Sequence, residues 1–313
     1  MSITAKFLAV ATVASLTACV PQDQSPPGIA RALPTAEQVS IKLPEKRAIG
    51  QLAEFYVATR DITRTFNGGS AWVLVLIHTI VQFPVTTIDG NVYTWGPFSD
   101  ALDPAEYQLV VTDNGDDTYV WSLAGRSKLE DNTQFEQVIG GVADARPGDN
   151  LGNGVFEIDF EAGRRVNPID ADPNARGTVE VAYDLAEKAL LLHIESTNDQ
   201  GAPVEANYAY NEREDGGGEM VFGLEGDMGG GPELEAALIH SRWLGTGDGR
   251  ADIALKGGNT ENPAGVLASE CWDGGFHRSF FAVLAGDSTG AFGAAEGSEA
   301  ACAFSDAQMP EEP

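Results

Sequence analysis

The sequence is poor in positive charge. It has 19 lysines and arginines against 47 aspartates and glutamates, which gives a formal net charge of -28. Nucleic acid and anionic lipid headgroups repel a chain with this excess of negative charge. The composition therefore excludes nucleic acid as a partner and favours a solvated acidic surface. Hydrophobic residues still make up 43% of the chain, so the sequence is that of a folded protein.

Histidine and cysteine are also scarce. The four histidines are His78, His193, His240 and His277, and they form no HExxH or HxH pattern. No CxxC pair accompanies any cysteine, so the ligand spacing of a structural zinc site is absent from the sequence. We therefore predict no bound metal and no cofactor.

No apolar run is long enough for a membrane-spanning helix, which needs about 20 residues. The longest run near the N-terminus covers Phe7 to Ala18; Lys6 precedes it and Leu16-Thr17-Ala18-Cys19 closes it. A positive start, a short apolar core and small residues before a cysteine are typical of a secretory signal over residues 1–18. An ordinary cleaved signal with a chance cysteine is the alternative.

The closing tetrapeptide resembles the lipobox of bacterial lipoproteins, whose signal is cut before the cysteine. The resemblance implies that Cys19 carries fatty acyl chains and that two or three chains hold the protein durably on a membrane. In lipoproteins of this kind, an aspartate directly after the cysteine retains the protein on the inner membrane. This chain has Val20 at that position. The expected location is therefore the outer membrane, facing the periplasm or the cell surface.

Two cysteines, Cys271 and Cys302, remain after Cys19. Because an even number of cysteines is left in a protein expected in an oxidising compartment, we predict a disulfide between them.

The chain divides by composition into a signal, a tether, a body and a tail. Five prolines between residues 20 and 44 predict a tether over 19–44. Residues 45–304 form the predicted single β-rich domain, with a smaller C-terminal portion from about residue 232. The glycine runs at 216–218 and 229–231 mark either flexible turns or a hinge before that portion. Residues 305–313 are the predicted disordered acidic tail.

The body begins with a helical pattern. Apolar residues recur at helical spacing from Glu45 to Thr65, and Asn67-Gly68-Gly69 is expected to end that helix. Ala71 to Phe83 is apolar on nearly every side and reads as a second, buried helix or as a strand.

Period-two alternation replaces the helical pattern from Tyr93 onward. The clearest examples are Glu157–Phe160, Thr178–Val181 and Leu190–Ile194, with clusters of Asn, Asp and Gly between such segments. Short turns join strands antiparallel, and ten to thirteen strands are too many for a flat sheet. The predicted fold is mainly β: a curled antiparallel sheet, half-barrel or barrel-like, with one or two N-terminal helices.

Motifs that could carry chemistry are weak. Gly286 to Gly290 matches the nucleophile-elbow pattern around Ser288, but no histidine follows it. Residues 170–174 have oxygen ligands at alternate positions, as calcium loops do, but Ala175 and Val181 replace the glycine and the acid of an EF-hand. Residues 113–117 lack that spacing, and weak calcium binding at either run is the alternative to a solvated turn. The loop 245–250 lacks a phosphate-binding lysine. Turns account for all of them, so we assign no catalytic residue.

Four segments resemble signatures of envelope lipoproteins from myxobacteria and their relatives, a resemblance that implies no activity. They are Trp95–Phe98, Ser241–Trp243, Gly247–Asp252 and Glu270–Asp273. Within them, Arg242 and Arg250 are scarce cations that we expect to pair with Asp252 or Asp273. Trp243 and Trp272 are expected in the core or a cavity wall.

Three functions remain. A curled sheet with an apolar helix resembles periplasmic lipoprotein carriers, their outer-membrane receptor and the lipocalin-like group, which implies a non-enzymatic binding or carrier module for an apolar ligand. The cavity candidates are Trp72, His78, Trp95, Trp121 and Trp243. The alternative is a structural or interaction lipoprotein that docks an envelope protein. A hydrolase acting on envelope polymers ranks last.

Overall fold

The structure is a computed structural model. It describes residues 28–33, 35, 38, 40–44, 50–69, 77, 80–81, 83–99, 103–129, 134–169, 171, 175–198, 200–226, 233–257, 265–286 and 293–308. No helix in this part of the chain is long and apolar enough to cross a membrane.

One antiparallel sheet dominates the fold, with its strands in chain order and each paired with the next. The first and last described strands do not pair, so the sheet is open. This confirms the predicted mainly β, curled antiparallel class. The strands are β1 Thr87–Asp89, β2 Val92–Phe98, β3 Ala105–Asp113, β4 Thr118–Ser127, β5 Glu136–Asp144, β6 Asn153–Asp159, β7 Thr178–Asp184, β8 Ala189–Thr197, β9 Pro203–Glu212, β10 Gly218–Gly226, β11 Glu235–Trp243, β12 Gly249–Gly257, β13 Val266–Trp272, β14 Arg278–Ala285 and β15 Glu296–Gly297.

Helices are few: α1 covers Ile29–Ala32, α2 covers Glu54–Gly69 and α3 covers Phe160–Val166. The predicted start of the long helix at Glu45 was wrong, and so was its end before Asn67. The buried carboxylate of Glu270 accepts hydrogen bonds from the backbone N–H groups of Glu54 and Phe55, which caps the helix at Glu54. Of the predicted segment 71–83, only Ile77, Ile80, Val81 and Phe83 are described, the first two as helix.

The sheet has an inner face, against which the N-terminal segment packs, and an outer face. Inner-face side chains form one continuous core with α2 and the segment before it. Ile29, Ala32, Leu33 and Ile41 lie within the predicted tether, yet they are 0–5% exposed. These four side chains belong to the core rather than to a solvated tether, because they pack against the inner face of the sheet.

Side chains of the sheet also hold the backbone of this N-terminal segment. Tyr183 Oη donates to the carbonyl of Ala32 at 3.1 Å, and Trp243 Nε1 donates to that of Lys42 at 2.9 Å. The N–H of Lys42 donates to Tyr210 Oη at 3.3 Å. The segment is therefore fixed along the sheet through strands β7, β9 and β11.

Of the glycine run 216–218, Gly216 and Gly217 lie in the turn after β9, and Gly218 begins β10. Strands β9, β10 and β11 pair in continuous register on both sides of it, so the sheet continues into the C-terminal strands without a break. A Cβ on Gly218 would lie 2.4 Å from the Trp243 ring. Glycine therefore lets this buried indole pack directly on the backbone of β10. The run 229–231 lies outside the described residues.

Candidate functional site

A C-terminal strap, residues 296–308, crosses the outer face over strands β11 to β14. The disulfide between Cys271 and Cys302 ties it to β13, with Cα atoms 5.5 Å apart, and confirms the predicted pair. Of the predicted tail, residues 305–308 are described, and Asp306 and Gln308 hydrogen-bond to the sheet. These residues belong to the folded body because buried charges beneath them need partners.

The strap covers a group of buried charges on the outer face. The side chains of Arg250 and Asp252 are 0% exposed and that of Arg242 is 6% exposed. Asp252 accepts from Arg242 Nη2 at 3.0 Å, from Arg250 Nε at 3.1 Å and from Ser269 Oγ at 2.6 Å. Of the two partners that the sequence left open, Asp252 and Asp273, it is Asp252 that pairs with both arginines. Asp273 instead accepts backbone N–H groups within its own turn.

Backbone groups of the strap complete this network. Arg250 Nη1 donates to the carbonyl of Phe304 at 3.1 Å, and Arg242 Nη2 donates to that of Asp306 at 2.8 Å. The N–H of Gln308 donates to Asp252 Oδ2 at 3.0 Å. These charges therefore hold the strap in place, and the strap fills the space that a ligand would need to reach them.

Beyond the strap, the outer face carries an apolar row, one residue from each strand from β4 to β10. Its members lie directly opposite one another in the strand register: Val120, Val142, Val155, Ala182, Leu191, Ala209 and Val221. Val120, Val142 and Leu191 are 47%, 49% and 54% exposed. These exposed fractions make the row apolar surface that is available to a partner.

A concavity of about 480 Å³ opens on this row. Val142, Val155, Ala182, Ala189 and Leu191 supply its apolar wall. Its polar lining includes Thr118, Asp144, Arg146 and Asn153. An apolar floor with polar groups at one side suits an amphipathic ligand.

An acidic rim runs along one side of the row: Glu157, Glu180, Glu195, Glu205 and Glu225. Glu157 lies directly opposite Glu180, and Glu205 lies opposite both Glu195 and Glu225. All five are exposed. Like charges directly opposite one another on a sheet are destabilising, so folding gains nothing from this arrangement.

Among the described residues at this rim, His193 is the one side chain that can carry a positive charge. Its Nε2 lies 3.5 Å from Glu195 and its Nδ1 lies 3.9 Å from Glu205. The hydrogen bond with Asn207, together with these carboxylates, raises the pKa of His193. One imidazole leaves most of the rim's negative charge uncompensated.

The structure describes three of the five predicted cavity residues. Cys19, Trp72 and His78 fall outside the described residues. Trp95, Trp121 and Trp243 are 0–1% exposed on the inner face, and none of them lines the concavity. They fill space instead, because Trp121 packs on Phe156 at 5.9 Å between ring centroids and Trp243 packs on Tyr210 at 6.1 Å.

The weak motifs have local roles where they are described. Residues 113–117 turn between β3 and β4, with Asp113 accepting the N–H of Gly115 at 2.7 Å. Residues 245–248 turn between β11 and β12, as expected. Ser288 and most of 170–174 lie outside the described residues.

Sequence reasoning missed the apolar row, although a signal for it exists. Leu190-Leu191-Leu192 and Tyr119-Val120-Trp121 break the alternation by placing an apolar residue at the outward position as well. In an antiparallel sheet such runs indicate apolar surface on both faces. Strand pairing was needed to show that these outward residues align across seven neighbouring strands.

Comparison of the chain with protein-family models, with curated proteins and with solved structures finds no match.

Proposed function

We propose that this chain is a membrane-anchored envelope lipoprotein that binds an apolar ligand without catalysing a reaction. The observation that carries the proposal is the concavity of about 480 Å³ on the exposed row, with Val142, Val155 and Leu191 in its wall. Exposed apolar area of this kind on a protein rich in charge marks an interaction site. Acyl chains on Cys19 would place that surface in the envelope, facing the periplasm or the cell surface.

Nile red tests the binding site, because it is uncharged and its emission rises in apolar surroundings. We expect the full chain to bind it and dodecanol to displace it. Leu191→Asp should weaken binding about tenfold or more, since it places a charge in the apolar wall. Ile88→Asp is the matched control, because Ile88 is 38% exposed on β1 outside the row. Equal affinity for both variants would refute the assigned surface.

Membrane fractionation tests the anchor. A Cys19→Ser variant should appear in the soluble fraction of the cells, whereas the unaltered chain should remain with the outer membrane. Firm membrane association of Cys19→Ser would contradict the lipid anchor.

Docking of an envelope protein is the second candidate. The length of the row favours it: the seven residues continue beyond the concavity on both sides. Strands lie about 4.8 Å apart, so the row is roughly 29 Å long, which exceeds the length of a common acyl chain. In-cell crosslinking from the Leu191 position should recover one repeated partner, and failure to do so would argue for the small ligand.

A further inference from the structure

We infer that the occupant of the apolar row is a cationic amphipathic helix of a partner protein. This inference rests on the second candidate function, docking of an envelope protein, and specifies the class of partner. Three observations carry it: the length of the row, the opposed carboxylates beside it, and the negative net charge of the whole chain.

The length of the row sets the size of the occupant. A helix rises 1.5 Å per residue, so about 19 residues cover roughly 29 Å. One apolar stripe along such a helix matches a single row of exposed side chains that crosses from Val120 on β4 to Val221 on β10.

The acidic rim sets the charge of the occupant. Glu157 faces Glu180, and Glu195 faces Glu205, on an exposed surface where folding does not require these carboxylates. No lysine or arginine among the described residues forms an ion pair with this rim; His193 alone approaches it. Lysines or arginines beside the apolar stripe of a helix would relieve this repulsion on docking.

The net charge argues against the other occupants. A second copy of this chain would bring another -28 charges and a second acidic rim to the interface. An anionic amphiphile would place its headgroup beside the same carboxylates. A cationic helix is the occupant that both the apolar row and the rim favour.

Fluorescence anisotropy with labelled helical peptides of about 19 residues tests this inference on the full chain. One peptide has a leucine stripe flanked by lysines, and its matched control has glutamates in place of the lysines. We expect the lysine peptide to bind about tenfold or more tighter, with an advantage that shrinks at high salt. Glu157→Gln with Glu180→Gln should reduce that advantage measurably, because two of the five rim carboxylates are then neutral, while Asp89→Asn on β1 should leave it unchanged.

Equal affinity for the two peptides, or an unchanged preference in the Glu157→Gln, Glu180→Gln variant, would overturn the inference. The proposed apolar site would survive that result if Nile red binding still depended on Leu191, so the two failures are distinguishable. Self-association in sedimentation that Leu191→Asp abolishes would assign the row to a second copy, and would also overturn the inference.

Discussion

Arg250 and Asp252 lie two residues apart on the outer face of β12, both fully buried, with Arg250 Nε 3.1 Å from Asp252 Oδ1. Arg242 also pairs with this carboxylate, whereas Arg250 has a second partner in Glu299 at 2.9 Å. Asp252→Asn would leave Arg242 without its counterion and Arg250 with Glu299 alone. We expect it to lower the free energy of unfolding by about 3–5 kcal/mol.

Urea unfolding followed by fluorescence measures this loss. Asp89→Asn, on the exposed edge strand β1, is the control and should change stability by about 0.5 kcal/mol or less. If the two variants had equal stabilities, the buried pair would not hold this part of the fold.

The disulfide gives a second prediction. Reduction, or Cys302→Ser with Cys271→Ser, opens a loop of 31 residues. In the chain-entropy model this costs about 3–4 kcal/mol of stability. Mass spectrometry of the unreduced chain should detect no alkylatable thiol at either position; two free thiols would contradict the bridge.

The pH dependence of stability should include a contribution from Glu212. Burial raises the pKa of Glu212, but hydrogen bonds from Lys188 and Lys42 outweigh it and hold the pKa below its ordinary 4.5. Since the folded state binds the proton more weakly than the unfolded chain, this contribution is complete above about pH 4.5 and is lost as the pH falls through the folded value.

Glu212→Gln removes this titration. Urea midpoints measured between about pH 6 and pH 3 should fall less steeply for the variant than for the unaltered chain. Parallel curves would show that Lys42 and Lys188 do not stabilise the ionised carboxylate.

Gly218 tests the packing of the inner face. Gly218→Ala would put a methyl group 2.4 Å from the Trp243 ring, and we expect a loss of about 1–3 kcal/mol. Gly223→Ala on the same strand is the control, because its Cβ meets only the flexible end of Leu238 at 3.0 Å. Equal thermal unfolding of the two variants would contradict the close approach at Gly218.

Much of the fold follows from the sequence because strands and turns have local signals. Alternation and turn clusters predicted the antiparallel sheet, and cysteine counting predicted the Cys271–Cys302 bridge. Helix bounds did not follow, since the residue that caps α2 is Glu270, far along the chain. No local pattern at residues 45–54 contains that information.

The exposed apolar row was missed for a related reason. Trp95, Trp121 and Trp243 were candidates for a cavity wall, yet they fill the inner core, and aliphatic side chains form the exposed row. Single outward residues such as Val155 and Leu191 are ordinary within their own strands. They form a continuous surface only when strand pairing places them side by side across the sheet. That placement depends on the register between neighbouring strands.

Photo-crosslinking tests most directly whether the ligand lies on the outer face. A neutral alkyl diazirine, bound to the full chain and irradiated, is mapped by mass spectrometry of the digested protein. We predict adducts on the strands that carry Val142, Val155 and Leu191, and their loss when dodecanol competes. Adducts concentrated instead on α2 or around Trp243 would place the ligand inside the core and contradict the account.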